Sequence, residues 1–451
     1  VGAVAWSLLA SPRAGLLNVI FRRLTGIGME LGPLNILSMS GLIWVMGLYY
    51  SPYAYIMTSG ALRSLDSSME EASRLCGASP ARVLWHTTIP LVRPAILSAA
   101  FLIFSFSAGQ FSIPQIIGIP ARIDVLSTVI FAEAQTYPRD FSRLMGIGLM
   151  LLAIAAGALV LQRLWLRRGN YEVVAGKGTR SQLLDLGRWR YAVLGITVIY
   201  LLIVLVLPLL ALAYSSFQRF SSTEFRPDLL TWTNYARVLS DRLTITSIAN
   251  SLVLATVSAS LCLTLGLVMS YMIHRTHLRG RGAINLLAML PIGIPGIVLG
   301  TGILAAYISP PLVLYGTLGI LVVGYVAHSL PTASQAAAAG LVQIGKELEE
   351  SARVSGAPWG AMVRRILLPL LRPAMIGTWL LLFITQFREL DTSILLYTPG
   401  HEVVSVALLN LWEAGSYNPV AAFSVIVTLI SLAVFILMQL VSGRRRVVLQ
   451  D

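Results

Sequence analysis

Charged residues and cysteines are scarce in this sequence. Only 12% of its 451 residues are charged, and its two cysteines, Cys76 and Cys262, show neither a disulfide framework nor a metal-ligand spacing. Segment 175–179 resembles a phosphate-binding loop, but Tyr171 and Gly178 stand where that motif needs Gly and Ser or Thr. There is also no nucleophile–base set and no carboxylate pair. The sequence therefore predicts a protein that is not an enzyme and binds no cofactor, so any ATP chemistry must come from a partner.

Long apolar runs dominate the chain. Hydrophobic residues make up 56% of it, and the mean hydropathy of +0.77 is far above that of a soluble domain. The runs near the length that crosses a bilayer are 36–59, 94–117, 143–164, 190–213, 247–272, 284–308, 314–337, 374–397 and 419–441. Because lipid offers no partner for an open strand edge, these runs predict helices. We expect an all-α, polytopic transmembrane helical bundle in a lipid bilayer.

The net charge of +13 comes from short basic clusters between the apolar runs. Such clusters collect on the cytoplasmic side of membrane spans, so they indicate topology and not a nucleic-acid surface. When the spans alternate strictly, the clusters fall on one side, and they contain Arg167, Arg168, Lys177, Arg180, Arg188, Arg275, Arg279, Arg281 and Arg444 to Arg446. Segment 398–418, on the other side, contains no Lys or Arg.

A polar segment between the apolar runs occurs twice. Residues 70–77 read EEASRLCG and residues 349–356 read EESARVSG, and the alignment continues without a gap through Pro94 and Pro373. Two copies at equivalent places predict two homologous halves. We expect these halves at 1–164 and 190–451, the second with six spans, and a cytoplasmic linker at 165–189. Matching the halves also leads us to expect that the chain begins partway through the first half.

Each copy has the features of a helix, a tight turn and a second helix. Ser67 and Glu70 have the spacing of a capping box, and Gly77 supplies a stop. We expect Pro90 and Pro369 to break the second helix of each copy. The residues that we expect to form the turns back into the bilayer are Arg93, Pro94, Arg372 and Pro373. A short amphipathic helix outside the membrane fits a groove of a partner protein, and a merely solvated loop does not explain two matching copies.

The repeated segment resembles the signature loop of the inner-membrane permeases of binding-protein-dependent ABC importers. That signature is Glu, two small residues, three positions, Gly, nine positions and Ile-x-Leu-Pro. The second copy matches it at Glu350, Ser351, Ala352, Gly356, Ile366, Leu368 and Pro369. The first copy matches at Glu71, Ala72, Ser73, Gly77 and Pro90, but has Thr87 and Ile89 at the Ile and Leu positions. The resemblance covers nearly the whole chain, and the fused organisation looks most like the ferric iron permeases.

The resemblance implies that each loop docks on an ATPase subunit. The implied docking residues are Glu70, Glu71, Ala72, Arg74, Gly77 and Pro90 in the first loop, and Glu349, Glu350, Ala352, Arg353, Gly356, Ile366, Leu368 and Pro369 in the second. It also implies two ABC ATPase subunits that bind the ATP, a periplasmic or extracytoplasmic substrate-binding protein, and a multi-pass location in a bacterial inner membrane. Ferric iron is the implied substrate, and thiamine, polyamines, phosphonates and sulfate are the alternatives. We expect the second loop to tolerate substitution least, because it matches the signature fully.

A polar group lies near the end of run 374–397. It consists of Gln386, Arg388, Glu389 and Asp391. Charges at membrane depth usually face a bundle interior or a water path. These residues form either the lining of a translocation path or a set in which Arg388 pairs with one of the two acids, and both interpretations stay open.

Segment 291–302 and the histidines His274 and His277 each allow two interpretations, and the chain as a whole allows a second function. The Pro and Gly residues of 291–302 favour close helix packing over a discontinuous binding helix. His274 and His277 lie beside Arg275 and Arg279, which favours a basic interfacial role over a metal site. A secondary carrier with an internal repeat is the alternative function, but it would need coupling-ion sites for which few residues are available.

Overall fold

Helices build this protein, as seen in a computed structural model that describes residues 1–26, 32–65, 67–138, 140–168, 187, 189–220 and 227–443. The first ten α-helices are α1 (Gly2–Ala10), α2 (Leu16–Thr25), α3 (Met39–Arg63), α4 (Ser67–Leu75), α5 (Pro80–Val83), α6 (Ile89–Gly109), α7 (Leu126–Gln135), α8 (Phe141–Arg168), α9 (Trp189–Leu201) and α10 (Leu207–Phe217). The others are α11 (Thr233–Ser240), α12 (Arg242–Arg275), α13 (Arg281–Met289), α14 (Gly296–Tyr307), α15 (Leu318–Gln343), α16 (Lys346–Val354), α17 (Trp359–Met362), α18 (Leu368–Phe387), α19 (Ser393–Leu396), α20 (Val404–Glu413) and α21 (Tyr417–Gly443).

Short helical turns of other kinds lie between some of these helices. π-turns occupy Leu84–Thr88, Pro114–Gly118, Leu202–Val206 and Val363–Leu367, and 3-10 turns occupy Ile119–Ala121, Pro227–Leu229 and Leu290–Gly293. Extended pairing in the described ranges is confined to one antiparallel bridge between Gln218 and Leu230. The predicted all-α fold is confirmed.

Membrane-length helices confirm a polytopic architecture. The helices that are long and apolar enough to cross a membrane are Ala81–Gly109, Phe141–Trp165, Trp189–Phe217, Arg242–Arg275, Trp359–Phe387 and Tyr417–Leu440. Two further pairs are bent, Pro114–Ala121 with Leu126–Gln135 by 87° and Arg281–Gly293 with Gly296–Tyr307 by 115°. The described part of the chain therefore has six spans, or eight if each bent pair counts as one.

Several predicted runs differ from the helices. Runs 94–117 and 374–397 are wrong at their ends, because α6 stops at Gly109 and α18 at Phe387. Run 284–308 is two helices instead of one, since Pro291 and Pro295 lack the N–H that an unbroken helix needs. Runs 36–59 and 314–337 lie in α3 and α15, which are 25 and 26 residues long but are not apolar enough to count among the six.

The expected breaks at Pro90 and Pro369 are also wrong. Each proline is the second residue of its helix, and that helix continues from a π-turn as one membrane-length segment. In the first copy the N–H of Ile89 bonds five residues back to Leu84. Proline lacks an N–H and its ring needs extra space. The wider π-turn accommodates both, so the helix is not interrupted.

The expected re-entry turns at Arg93-Pro94 and Arg372-Pro373 are wrong for a related reason. Both prolines lie inside a helix, Pro94 in α6 and Pro373 in α18. Each helix therefore extends from the repeated loop to the far end of the span without a turn.

The order of elements repeats along the chain. Helices α1 to α6 are matched in order by α13 to α18, and the π-turn before α6 is matched by the one before α18. Helices α7 and α8 are matched by α20 and α21. The duplicated segment of the sequence therefore belongs to a duplicated set of helices.

The chain separates into two compact units. The first contains the described residues of 1–129 and 149–211, and the second contains those of 130–148, 212–220 and 227–443. The division into halves at 164 and 190 stays a prediction. Of the predicted linker 165–189, residues 169–186 and 188 lie outside the described residues, as do the segment 175–179 and Arg444 to Arg446.

Polar contacts join the helices of the first unit. The hydroxyl of Tyr50 in α3 donates to Oε1 of Gln110, just after α6, at 2.6 Å. Ser127 in α7 donates its hydroxyl to the carbonyl oxygen of Gln110 at 2.7 Å. Ser51 of α3 also bonds through its hydroxyl to the hydroxyl of Tyr200 in α9. These contacts hold α3, α6, α7 and α9 together within this unit.

Helix α12 is the centre of the second unit, where it packs against α15 and α18. Gly266 of α12 lies directly against α15, since a Cβ there would lie 2.8 Å from the Ala333 carbonyl carbon. One turn further on, Ser270 donates its hydroxyl to the carbonyl oxygen of Ser334 at 2.6 Å. Small residues thus let the two backbones approach closely, as is common where membrane helices pack.

Candidate functional site

The second repeated loop consists of α16, a glycine turn and α17. Helix α16 ends at Val354, and Gly356 follows with a φ of +78°. The N–H of Ala357 bonds to the carbonyl oxygen of Ala352 at 3.0 Å, and that of Gly356 to the carbonyl oxygen of Arg353 at 2.9 Å. This left-handed turn is strained for any residue with a Cβ, so the backbone itself requires the glycine.

This loop packs against other helices of the second unit. Trp359 of α17 donates Nε1 to the hydroxyl of Tyr271, near the end of α12, at 3.0 Å. Their rings meet edge to face with centroids 6.0 Å apart. Beneath them lies a cluster made of Leu341, Ala352, Met362, Leu367 and Leu371. The loop is therefore packed on α12, α15 and α18 and does not extend freely into solvent.

A buried ion pair fixes α16 to the end of α12. Nε of Arg275 lies 3.2 Å from Oε1 of Glu349, and both side chains are only 5% exposed. Nη2 of the same guanidinium donates to the carbonyl oxygens of Leu341 and Ile344, at the end of α15, at 2.6 and 2.5 Å. Arg353 approaches the other carboxylate oxygen to 4.0 Å from the exposed side. One arginine thus ties α12, α15 and α16 together.

The opposite side of the loop is exposed. Glu350 and Arg353 point away from the buried cluster, while Val354 and Trp359 are 89% and 61% exposed. Leu348 is also exposed. A surface that mixes charges with large apolar side chains on a rigid base is suited to burial by a partner protein.

The remaining residues predicted for this loop lie beyond it. Ile366 packs against the buried cluster from its edge. Leu368 is half-buried at the start of α18, and Pro369 after it is exposed. These three residues therefore connect the loop to the membrane span and do not belong to its outer surface.

The first repeated loop has a more polar and more exposed base. Oε1 of Glu70 accepts from the hydroxyl of Thr88 at 2.7 Å, and Arg74 lies 3.7 Å from its other oxygen. The hydroxyls of Ser73 and Thr87 are 3.0 Å apart. The Glu70 side chain is 21% exposed, compared with 5% for Glu349. Among the described residues, this base is made by the contact between Glu70 and Thr88 and by the hydroxyl pair of Ser73 and Thr87.

The turn of the first loop matches that of the second. Gly77 has a φ of +80°, and the N–H of Ala78 bonds to the carbonyl oxygen of Ser73 at 3.1 Å. The predicted stop at Gly77 is confirmed. The exposed residues of this loop include Met69, Glu71, Ala72, Arg74, Leu75, Cys76 and Pro90.

The four polar residues predicted for a translocation path lie at the end of α18 and in the turn after it. Gln386 is buried, with 2% of its surface exposed, and neither its Oε1 nor its Nε2 has a hydrogen-bond partner among the described residues. Arg388 is exposed, and Asp391 is half-buried. The structure brings them together on one short segment but gives each a different environment.

The side chain of Glu389 caps the N-terminal end of the short helix α19. Its carboxylate accepts from the N–H of Thr392 at 2.7 Å, and from the N–H and hydroxyl of Ser393 at 3.1 and 2.7 Å. The hydroxyl of Tyr325 lies 2.7 Å from that of Ser393. A helix N-terminus, and not a pairing with Arg388, therefore satisfies this carboxylate.

The glycine-bearing segment 291–302 combines both structures that its sequence allows. The bend between α13 and α14 interrupts the helix. Beyond the bend, a Cβ at Gly296 would lie 3.1 Å from Cβ of Asp391, and one at Gly300 would lie 3.1 Å from the carbonyl oxygen of Thr392. Close packing, which the sequence favours, is confirmed, and it lets the polar turn after α18 lie against α14.

Metal ligands do not cluster in the described part of the chain. No three side chains of His, Cys, Asp or Glu come together there. His274 and His277 are both exposed, at and just beyond the end of α12.

Two functional candidates escape prediction from the sequence. Arg275 is predicted only as one of the basic residues beside a span, and Tyr271 is not singled out. A basic residue in the last turn of an apolar helix is ordinary for membrane topology. Its pairing with Glu349 depends on tertiary structure, because the two residues are far apart along the chain. The sequence feature that points to this pairing is the Glu349-Glu350 doublet, in which Glu349 is buried and Glu350 is exposed.

Comparison with known proteins identifies a family that matches most of the chain. Residues 14–226 and 262–447 match the family described as "Binding-protein-dependent transport system inner membrane component". The ferric transport system permease protein FbpB of Actinobacillus pleuropneumoniae is 28% identical over 404 residues, which is 89% of this chain and 58% of that protein. A putative ferric transport system permease protein, FbpB 1 of Haemophilus influenzae, is 28% identical over 80% of this chain and 56% of its own length.

The chain thus spans little more than half the length of these two relatives. Among solved structures, one of a bacterial alginate ABC transporter, in complex with a periplasmic protein that holds an alginate pentasaccharide, is similar at a TM-score of 0.48 and 21% identity. The match covers 56% of this chain and 94% of that one.

Proposed function

Because the chain belongs to the family of binding-protein-dependent transport system inner membrane components, we propose that it forms the translocation path of an ATP-driven importer. In this proposal the two repeated loops dock on two separate ATPase subunits, which bind and hydrolyse the ATP. A substrate-binding protein delivers cargo from the other side of a bacterial inner membrane. The observation that carries the proposal is the second loop, which has an exposed mixed surface on a buried, ion-paired base.

The geometry of the loop supports a mechanical role. A docking element has to present a surface to its partner and must also pass force to the membrane helices. Glu350, Val354 and Trp359 are exposed for contact, whereas Glu349 and Ala352 on the same loop are buried against the helical core. When the ATPase subunits close on ATP, they would move a segment that is already rigid with α12, α15 and α18.

Ferric iron is the substrate that we propose, since both relatives above are named as ferric transport permeases. Thiamine, polyamines, phosphonates and sulfate remain the alternatives. Uptake by the reconstituted importer of each compound, presented on its own binding protein, distinguishes them. Uptake of ferric iron alone is the expected result, and uptake of any other compound in its place would contradict the iron assignment.

Reversing the charge of Glu350 tests the docking proposal. We expect Glu350→Arg to reduce the ATPase that co-purifies with the chain at least about tenfold, because a desolvated interface tolerates a reversed charge poorly. Glu71→Arg, at the equivalent position of the first loop, should have a smaller effect, and Glu347→Arg on the same helix is the control for charge alone. Retention of the ATPase and of coupled uptake by Glu350→Arg would refute docking through this loop.

Gln386 provides a separate test of the proposed path. We expect Gln386→Leu to raise the free energy of unfolding by about 1–2 kcal/mol, because it removes a buried amide that has no partner. If that amide lines the path, the same variant should lose coupled uptake although it is more stable. Thr385→Val, an exposed neighbour on α18, is the matched control. A stabilised variant with normal uptake would exclude Gln386 from the path.

A further inference from the structure

Helix α12 connects the second repeated loop with the segment that holds Glu389. It is 34 residues long, and residues 250 to 275 alone extend over about 37 Å at about 1.5 Å per residue. At its C-terminal end Arg275 binds Glu349 and the end of α15. The helix thus begins at one candidate functional region and ends at the other.

The N-terminal part of α12 is bonded to the segment before α20. Nδ2 of Asn250 donates to the carbonyl oxygen of Glu402 at 3.0 Å. Oγ of Ser251 accepts from the N–H of Val404 at 2.8 Å. The next residue, Ser405, donates its hydroxyl to the carbonyl oxygen of Glu389 at 2.5 Å. Two contacts therefore join α12 to residues 402–404, and a third joins the adjacent Ser405 to the polar turn after α18.

The other helices that reach the second loop are less regular. Helix α15 contains Pro331, and α18 contains Pro373 and follows a π-turn. Helix α12 contains no proline and a single glycine, Gly266, which packs against Ala333 and Ser334 of α15. A helix with an unbroken hydrogen-bond ladder resists bending, whereas proline and π-turns are the usual places where helices kink.

We propose that α12 is a strut that carries movement of the second loop to the Glu389 segment, and that Arg275 and Asn250 are the positioning residues at its two ends. The proposal rests on the proposed importer function and deepens it by naming the residues that couple docking to the path. Arg275 makes the loop move with α12, and Asn250 makes the segment 402–405 move with α12. Neither residue lies on the exposed docking surface.

A double-mutant cycle over this distance tests the strut. Arg275→Lys keeps the charge but cannot bond simultaneously to Glu349 and two carbonyl groups with the planar geometry of a guanidinium. Asn250→Ala removes the contact with Glu402. In proteoliposomes that contain the ATPase subunits which co-purify with the wild-type chain, we expect each variant to keep the bound ATPase within about twofold. Coupled uptake of ferric iron should fall several-fold in each.

The combined variant decides between coupling and independent damage. Residues this far apart normally contribute additively, so independent effects on uptake would multiply. If both lie on one strut, the double variant should be no slower than the slower single variant. Thr256→Ala, on an exposed position of α12 between them, should leave uptake unchanged. Multiplied effects would overturn the proposal.

Two further outcomes separate this proposal from the docking proposal. If Arg275→Lys released the ATPase as Glu350→Arg is expected to do, Arg275 would belong to docking and the strut would be refuted. If Glu350→Arg retained the ATPase while the Arg275 and Asn250 variants still failed to multiply in their effects on uptake, docking through this loop would be refuted and the strut would be supported. Should Arg275→Lys fail to fold, the double variant Arg275→Met with Glu349→Met keeps apolar packing at the site, and normal uptake by it would equally overturn the strut.

Discussion

Replacing Glu349 by alanine is expected to lower the free energy of unfolding by about 3 kcal/mol, because it leaves the charge of Arg275 buried without its partner. The adjacent Glu350 is exposed, and Glu350→Ala should leave stability almost unchanged. The two variants remove the same side chain from neighbouring positions of one helix. Any difference between them therefore reports the environment of the carboxylate and not the helix propensity of alanine.

Thermal unfolding of the detergent-solubilised chain measures this difference. Adding Arg275→Met to Glu349→Ala should restore part of the lost stability, since the buried charge is then removed as well. Glu70→Ala in the first loop should cost less than Glu349→Ala, because Glu70 is more exposed and is bound mainly by a hydroxyl. Equal melting temperatures for Glu349→Ala and Glu350→Ala would show that the ion pair does not stabilise the loop.

Gly266→Ala is expected to destabilise the second unit by about 1–3 kcal/mol, the usual cost of overpacking a core. The new Cβ would lie 2.8 Å from backbone and side-chain carbons of Ala333 and 2.9 Å from the N atom of Ser334. Backbone atoms of a packed helix cannot move aside as a flexible side chain does. Helices α12 and α15 would have to separate, which weakens the hydrogen bond between Ser270 and Ser334.

The control for this prediction is Gly302→Ala in α14, where no heavy atom lies within 4 Å of the position of the new Cβ. There the change should be neutral or stabilise by up to about 1 kcal/mol, because alanine favours helix more than glycine does. Melting temperatures of the two variants should therefore shift in opposite directions. A Gly266→Ala variant as stable as the wild type would mean that Gly266 is not in close contact with Ala333 and Ser334 of α15.

The sequence predicts the fold class, the repeat and the polar loops well, because these depend on local composition. A helix in lipid needs an apolar run, and a left-handed turn needs a glycine, so the spans at 143–164 and 247–272 and the stop at Gly77 are confirmed. The family signature likewise lies within one continuous segment. These features need no knowledge of which helices touch.

Prediction fails where a local rule is overridden by neighbours. Pro90 and Pro369 are helix breakers by rule, but a π-turn in front of each lets the helix continue. The predicted end of run 374–397 is wrong because Gln386 and Glu389 look like polar residues in a span, while Glu389 lies in the turn after α18 and caps the next helix. Arg275 was missed as a partner of Glu349 because contacts between distant residues leave no local pattern.

The π-turns before α6 and α18 also bear on the history of the chain. Each contains one more residue than an α-turn would use, and each stands at the same place relative to the glycine turn and the proline. The extra residue accommodates the proline, and this combination would not be expected to arise independently in two places. We infer that one ancestral half carried the glycine turn, the π-turn and the proline before it was duplicated.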